Sequence, residues 1–494
     1  MLFNSLHFLV FFPIVAISYF LLPHRIRWVW LLVASYYFYM SWNPRYAILM
    51  AISTLITYLS GIFISRTNEQ KNKENKKKLW VALSFISNLS ILFFFKYFGF
   101  AVYSASAVLG IFGIKIVEPA FDVLLPVGIS FYTFQALGYT MDVYRGDINA
   151  EKNFFKYALF VSFFPQLVAG PIERSNNLLT QVNERHYFDI DRAKDGILLM
   201  LWGLFQKIVI ADRAAIIVNM VFDSYQNYSG VAIVTSVILF AIQIYCDFSG
   251  YTNVARGAAE IMGFRLMDNF RQPYFAMSIQ DFWRRWHISL STWFRDYLYI
   301  PLGGNRTSKF RKYCNIFITF LASGLWHGAS WNFVVWGGLH GVYQICGETM
   351  KPAKSKIYDK LRIKTDVFSF KLSKILVTFS LVVFAWIFFR ANGAREAVSI
   401  ISQIIKGNPN AINTTLWEHA GLTIGELLFL VFNILILFVV DLLHEFGKIS
   451  IRNFVNEQNL FFRWVVYIGA ILLVAVTAIY YSGLTSQQFI YFQF

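Results

Sequence analysis

The chain has 494 residues, 57% of them hydrophobic and only 15% charged, with 44 Lys+Arg against 28 Asp+Glu for a net charge of +16. Soluble domains carry about 25% charged residues, so this chain has too little charge for a water-facing surface; a disordered chain, a collagen-like fibre and a disulfide scaffold are excluded. A polytopic all-α membrane protein is expected, and because the cations stand in blocks between apolar runs rather than among the aromatics, they read as topology and not as a nucleic-acid surface.

In chain order, the first apolar run (2–22) has no positive segment before it and no small-residue cleavage site after it, so it reads as a spanning helix and not a signal peptide. Arg25 and Arg27 follow it. A cation-rich loop at 66–78, RTNEQKNKENKKK, comes after two further runs ending near Met40 and Ile64. Both basic segments fall on the same side by counting, which puts the N-terminus outside and that loop in the cytoplasm. Further spans are expected near 79–98, 100–116, 154–169, 195–211, 229–246, 313–322, 331–346, 370–389, 424–443 and 463–482. The total is about ten to thirteen at about 20 apolar residues each. Lys448, Arg452 and Arg463 make the last loop cytoplasmic and the C-terminus outside. No repeat, low-complexity tract or stretch long enough to fold alone interrupts the pattern, so 1–494 reads as one membrane domain.

Two breaks fall inside apolar sequence. One is LLPVGISFYTFQ (124–135), with Pro126, Gly128, Ser130, Thr133 and Gln135; the other is FPQLVAGPIERS (164–175), with Pro165, Gly170 and Pro171. They fit either interfacial turns or re-entrant backbone lining a tunnel, since irregular backbone at membrane depth needs protein or a cavity around it. Cys246, Cys314 and Cys346 have neither CxxC spacing nor a His partner, so they read as small buried hydrophobes, with no metal site.

Six of the 14 Trp and three of the 8 His fall between Trp283 and His340. In SIQDFWRRWHISLSTWFRDYLYIPL (278–302), Ser278 and Asp281 fit a capping box and Pro301 an end. Between them Trp283, Trp286, His287, Leu290, Trp293, Phe294 and Tyr297 share one helical stripe, with Arg284, Ser291 and Arg295 on the other face. That pattern predicts one amphipathic helix at the interface or along a polar cleft. Arg284 and Arg285 fit phosphate binding or anionic-lipid contact; Asp281 and Arg285 also fit a plain i, i+4 salt bridge.

In SGLWHGASWNFVVWGGLHG (323–341), a helix would put Ser323, Ser330 and Trp331 on the face of His327, with Gly324, Gly328 and Ala329 allowing close approach. An ionisable group at membrane depth is a functional candidate; a packed, hydrogen-bonded histidine is the alternative. His340 lies about 220° around such a helix and reads as structural. There is no G-x-S-x-G elbow, P-loop, H-E-x-x-H or dinucleotide fingerprint. The one other polar cluster is DFSGYTNVAR (247–256).

These stretches resemble a known family. DFWRRWHISLSTWFRDYLYIPLGGNR (281–306) and GLWHGASWNFVVWGGLHG (324–341) are similar to the signature of membrane-bound O-acyltransferases, within them to the AlgI-type bacterial polysaccharide O-acetyltransferases. LPVGISFYTFQALGYTMDVYRG (125–146), FFPQLVAGPIERS (163–175), IYCDFSGYTNVARGAAEIMGF (244–264) and the ending FIYFQF (489–494) also match. The resemblance implies a multi-helix body around a central tunnel, its signature core at about 120–350 and peripheral helices at 1–116 and 370–494. It implies acetyl transfer from a cytoplasmic donor, acetyl-CoA, toward an extracytoplasmic polysaccharide, with no permanently bound cofactor. It further implies a bacterial cytoplasmic (inner) membrane and an SGNH-type extracytoplasmic partner.

The family's essential histidine maps to His327 and the second motif histidine to His287. Around them, Arg284, Arg285, Trp283, Trp286, Ser291, Trp326, Trp331 and Asn332 are donor- or substrate-binding candidates, and Ser130, Gln135, Asp247 and Ser323 tunnel-lining candidates. The rivals are a DltB-type D-alanyl transfer to teichoic acid and a transporter or polysaccharide channel, the latter disfavoured by the lack of inverted repeats.

Overall fold

The computed structural model describes residues 1–67, 73–114, 126–168, 170–407, 419–480 and 489–490. Every regular element among them is helical. Six helices among the described residues are long and apolar enough to cross a membrane: Pro44–Thr67, Glu74–Ile111, Gly230–Met262, Phe368–Arg390, Ile424–Gly447 and Leu460–Tyr480. The chain is a multi-pass, all-helical membrane protein. It forms two compact units, one of residues 1–200 with 254–267, the other of 201–253 with 268–494.

The first unit begins with α1 (Leu6–Leu21), α2 (His24–Met40) and α3 (Pro44–Thr67). The helix α4 starts at Lys73, so the cations of 73–78 are helical rather than part of a loop; 68–72 lie outside the described residues. The two spans expected at 79–98 and 100–116 are one continuous helical run of 38 residues, Glu74–Ile111, with a single π turn at Phe93–Tyr97; 115–116 lie outside the described residues. Gly99 does not divide them, because one glycine costs a helix only about 1 kcal/mol.

At the centre stands α5 (Ile129–Arg145), 14 of whose 17 residues are buried. Its polar residues hide it from a hydropathy reading, and it is absent from the expected spans. Those residues find partners across helices, as lipid-embedded polar groups must: Thr140 pairs with Ser84 at 3.1 Å, and Gln135 accepts from Gln166 at 2.8 Å. The stretch 154–169 is not a span either. It is the nine-residue α6 (Phe154–Ser162) followed by a kink and one turn, Phe164–Leu167, apolar because Tyr157–Leu167 are all buried inside the protein.

Both irregular breaks are largely buried among the described residues, with Val127 and Gly128 half-buried. Gly128 takes φ 74°, and a Cβ there would stand 2.8 Å from the Leu167 carbonyl oxygen. Tyr39 donates to the Val127 carbonyl at 2.9 Å, and Ser35 Oγ receives the Phe164 N–H at 3.1 Å. Glu173, 2% exposed, accepts from the Met267 N–H at 2.6 Å. Residues 124–125 and 169 lie outside the described residues.

The second unit is built on α7 (Gly230–Met262), whose residues 230–253 belong to it, with the helical hairpin α8 (Lys309–His327) and α9 (Trp331–Thr349) and with α10 (Phe368–Arg390) against α9. The hairpin closes on glycine. A Cβ on Gly324 would lie 2.3 Å from the Phe333 carbonyl oxygen, and one on Gly337 2.3 Å from that of Phe320. Two backbones meet where side chains would normally intervene, the arrangement small residues permit between membrane helices. Cys246 is buried as expected, but Cys314 is only half-buried and Cys346 is exposed on α9, so the reading as buried hydrophobes holds for one cysteine of three.

Gly324→Ala is therefore expected to destabilise the hairpin by about 1–3 kcal/mol, the usual cost of overpacking, because its obstacle is backbone. Gly347→Ala, with nothing within 4 Å of its added Cβ, is the control. Thermal denaturation in detergent should show a fall of several degrees for the first and none for the second.

Candidate active site

All three signature histidines belong to the second unit. The stretch 278–302 is not the single helix its periodicity predicts. Ser278 caps α11 (Ile279–Arg285) by accepting from the Asp281 N–H at 3.1 Å, but the Asp281 carboxylate receives Met277 N–H rather than closing the box on Ser278. The helix then stops, and a second one, α12 (Ile288–Phe294), starts beyond it. Between them His287 takes φ 45°, in the left-handed region, at a cost of order 1–3 kcal/mol that must be held by its surroundings.

Asn269 holds it. Its carbonyl oxygen Oδ1 accepts from Ser289 N–H (3.2 Å) and Ser289 Oγ (3.0 Å) and lies 3.1 Å from His287 Nδ1, while its backbone carbonyl receives Ile288 N–H at 3.0 Å. Because Oδ1 can only accept, Nδ1 of His287 carries the proton and the lone pair is on Nε2.

His327 is the last residue of α8. Its Nδ1 lies 2.7 Å from the Ser323 carbonyl oxygen. The same logic puts the proton on Nδ1 and the lone pair on Nε2. The two rings stand 6.3 Å apart and nearly perpendicular, with exposures of 0% for His287 and 2% for His327. Aromatic rings wall them: Trp336 at 4.8 Å and Phe389 at 5.6 Å from His327, Phe248 at 4.7 Å and Trp326 at 5.8 Å from His287. His340 has the opposite tautomer. Trp283 donates to its Nδ1 at 3.2 Å, and an indole N–H only donates, so the His340 proton is on Nε2.

Several candidates take other places. The chain turns at Gly328–Ser330 and α9 begins, so Ser330 and Trp331 do not continue the His327 face; Trp331 is 51% exposed. Asn332 ties off α10 by donating to the Phe388 and Ala391 carbonyls at 3.1 and 2.8 Å. Arg285 is held by Asp281 (3.0 Å) and Glu445 (2.6 Å), the plain salt bridge. Arg284 is exposed.

Trp286 is buried at 5.2 Å from Trp386, and Ser291 Oγ donates to the Trp286 carbonyl at 3.2 Å. Of the tunnel-lining set, Ser323 supplies the carbonyl on His327 and Asp247 is ion-paired with Lys207 at 2.6 Å. Ser130, which accepts from Lys96 at 3.4 Å, and Gln135 belong to the first unit. Among the described residues no group of three His, Cys, Asp or Glu side chains is arranged to hold a metal ion. Asn269, Trp336 and Phe248 escaped the sequence reading. Asn269 sits in a loop with no periodicity to mark it, whereas Lys207, a lone cation within the apolar stretch 195–211, carried a signal that was legible.

Residues 149–391 match the model of the MBOAT, membrane-bound O-acyltransferase family. The probable alginate O-acetylase AlgI of Pseudomonas putida is 40% identical over 400 residues, 80% of this chain and 79% of that protein. A peptidoglycan O-acetyltransferase of Helicobacter pylori is 31% identical over 100% of this chain and 98% of its own length. A teichoic acid D-alanyltransferase of Bacillus subtilis is 29% identical over 46% of this chain and 60% of its own. The chain belongs to the membrane-bound O-acyltransferase family and is a multi-pass membrane acyltransferase.

Proposed function

We propose that the protein takes an acetyl group from acetyl-CoA on the cytoplasmic face of a bacterial inner membrane and passes it outward for O-acetylation of an extracytoplasmic polysaccharide, with an SGNH-type partner completing the transfer. The observation that carries this reading is the pair of buried imidazoles whose Nδ1 is pinned by an acceptor, which puts the lone pair of each on Nε2. Acetyl is favoured over D-alanyl because the O-acetyltransferase relative aligns over the whole chain and the D-alanyltransferase over less than half. A termini-outside topology follows from the positive blocks.

In this reading Nε2 of His327 removes the proton of an acceptor hydroxyl as its oxygen bonds to the thioester carbonyl carbon. The tetrahedral intermediate then collapses, the C–S bond breaks, and the thiolate takes the proton back from the imidazolium. The products are an acetyl ester and free CoA. A thioester is already activated, so the site need only deprotonate and align. The aromatic walls keep water from competing for the acyl group. His287, 6.3 Å from His327, orients the acyl donor, and the exposed Arg284 meets CoA phosphates in place of the ion-paired Arg285.

His327→Ala should lower polymer acetylation by about 10²–10⁴-fold, the range for a lost general base, while the protein accumulates in the membrane. Full acetylation in that variant removes the assignment. Purified protein given radiolabelled acetyl-CoA should release CoA in an acceptor-dependent way; turnover only with a carrier-protein thioester would favour D-alanyl-type chemistry. Asn269→Ala leaves His287 Nδ1 and the Ser289 N–H without their acceptor, a loss of about 1–3 kcal/mol. Transfer should drop at least about tenfold at unchanged membrane abundance, measured in the same assay.

A further inference from the structure

The second unit buries three formal charges at one point that the proposed chemistry does not use. Lys207 Nζ lies 2.6 Å from Asp247 and 2.8 Å from Asp212, with side-chain exposures of 3%, 4% and 6%. A π turn at Phe205–Ala211 carries Lys207, and its ammonium sits 5.5 Å from the Tyr251 ring. Burying such a pair is costly, and apolar replacements are often as stable, so the cluster needs a reason to exist beyond adhesion. Asp247 provides one. Its second oxygen, Oδ2, receives the backbone N–H of Ile490 at 2.7 Å.

What that bond holds leads back to the histidines. Phe489 is wholly buried and Ile490 3% exposed. The Phe489 ring stands 4.4 Å from Tyr251 and 5.9 Å from Phe248, and Phe248, the neighbour of Asp247 on α7, stands 4.7 Å edge-on to His287. Electrostatics thus fixes Asp247, Asp247 fixes residues 489–490, and Phe489 backs the ring that backs His287.

We infer that Asp247 and Lys207 are positioning residues: their buried ion pair clamps residues 489–490 against α7, and through Phe489 and Phe248 this sets His287 opposite His327. The inference rests on the reading of His327 as the general base and of His287 as the group that orients the acyl donor. It places no acyl group on either clamp residue. Lys207 holds Asp247 Oδ1, so Oδ2 is turned to the Ile490 amide, and a charged acceptor makes that bond stronger than an amide oxygen would. Displacing a reacting group by about 1 Å costs on the order of 10²-fold in rate.

The test removes one hydrogen-bond donor. Ile490→Pro deletes the N–H that Asp247 receives, and Ile490→Ala keeps it. Diethyl pyrocarbonate labelling of His287, read by mass spectrometry, should rise at least about fivefold in Ile490→Pro and stay at the wild-type level in Ile490→Ala. The acetyl-CoA transfer rate should fall about 10–100-fold in the proline variant alone, with the donor KM within about twofold and the melting temperature unchanged. A merely structural contact would move the melting temperature and not this split. Equal labelling in the two variants overturns the clamp. So does raised labelling with undiminished transfer, in a preparation whose His327→Ala variant is inactive. Because labelling needs no turnover, a protein inert toward acetyl-CoA would defeat the proposed function and still leave the clamp decided by the His287 readout.

Discussion

The 2.7 Å contact between His327 Nδ1 and the Ser323 carbonyl oxygen governs the second unit. It fixes which nitrogen carries the proton, and it does so at the last residue of a helix, where the chain must turn at once. The turn is workable because Gly324 and Gly337 let the two helices of the hairpin touch backbone to backbone. The tight hairpin then leaves room for Trp336 and Phe389 to close around the imidazole. Replace the glycines with larger residues and the ring would still be a histidine, but not one with a defined lone pair in a dry wall.

Elsewhere the described residues answer a demand of a medium without water, that polar groups be met inside the protein. In the first unit this is visible in α5, where serine, threonine and glutamine sit in a buried helix with partners on neighbouring helices. It is visible again at the two irregular breaks, where Tyr39 meets the Val127 carbonyl, Ser35 meets the Phe164 amide, and Glu173 of the second break meets the Met267 amide. Polar residues in these places are structural glue, and they blur the hydropathy signal that would otherwise mark the helix.

Legibility in the sequence followed the length scale of the physics. The apolar runs ending near Ile64 and at 370–389 and 424–443 read correctly because about twenty consecutive hydrophobic residues have one meaning in a membrane. The two histidine motifs also read correctly as one region. What periodicity could not disclose was the break at His287, since 278–302 continues the helical stripe through the point where the backbone leaves the helix. The residue that enforces the break, Asn269, lies 18 positions earlier, and nothing local ties the two. The run at 154–169 failed for the converse reason. Burial inside protein and burial in lipid select the same apolar residues, and only the nine-residue length of the helix tells them apart.

The left-handed backbone at position 287 makes that position selective before any chemistry begins. Glycine enters such a conformation freely, and asparagine, aspartate and histidine enter it more readily than other side chains, while β-branched and bulky residues resist it. A library at this site is therefore filtered twice, first by the turn and then by the reaction. Alanine, the usual probe, changes both at once. Asparagine keeps the turn and removes the imidazole, so the difference between the two substitutions separates what the backbone requires from what the proton requires.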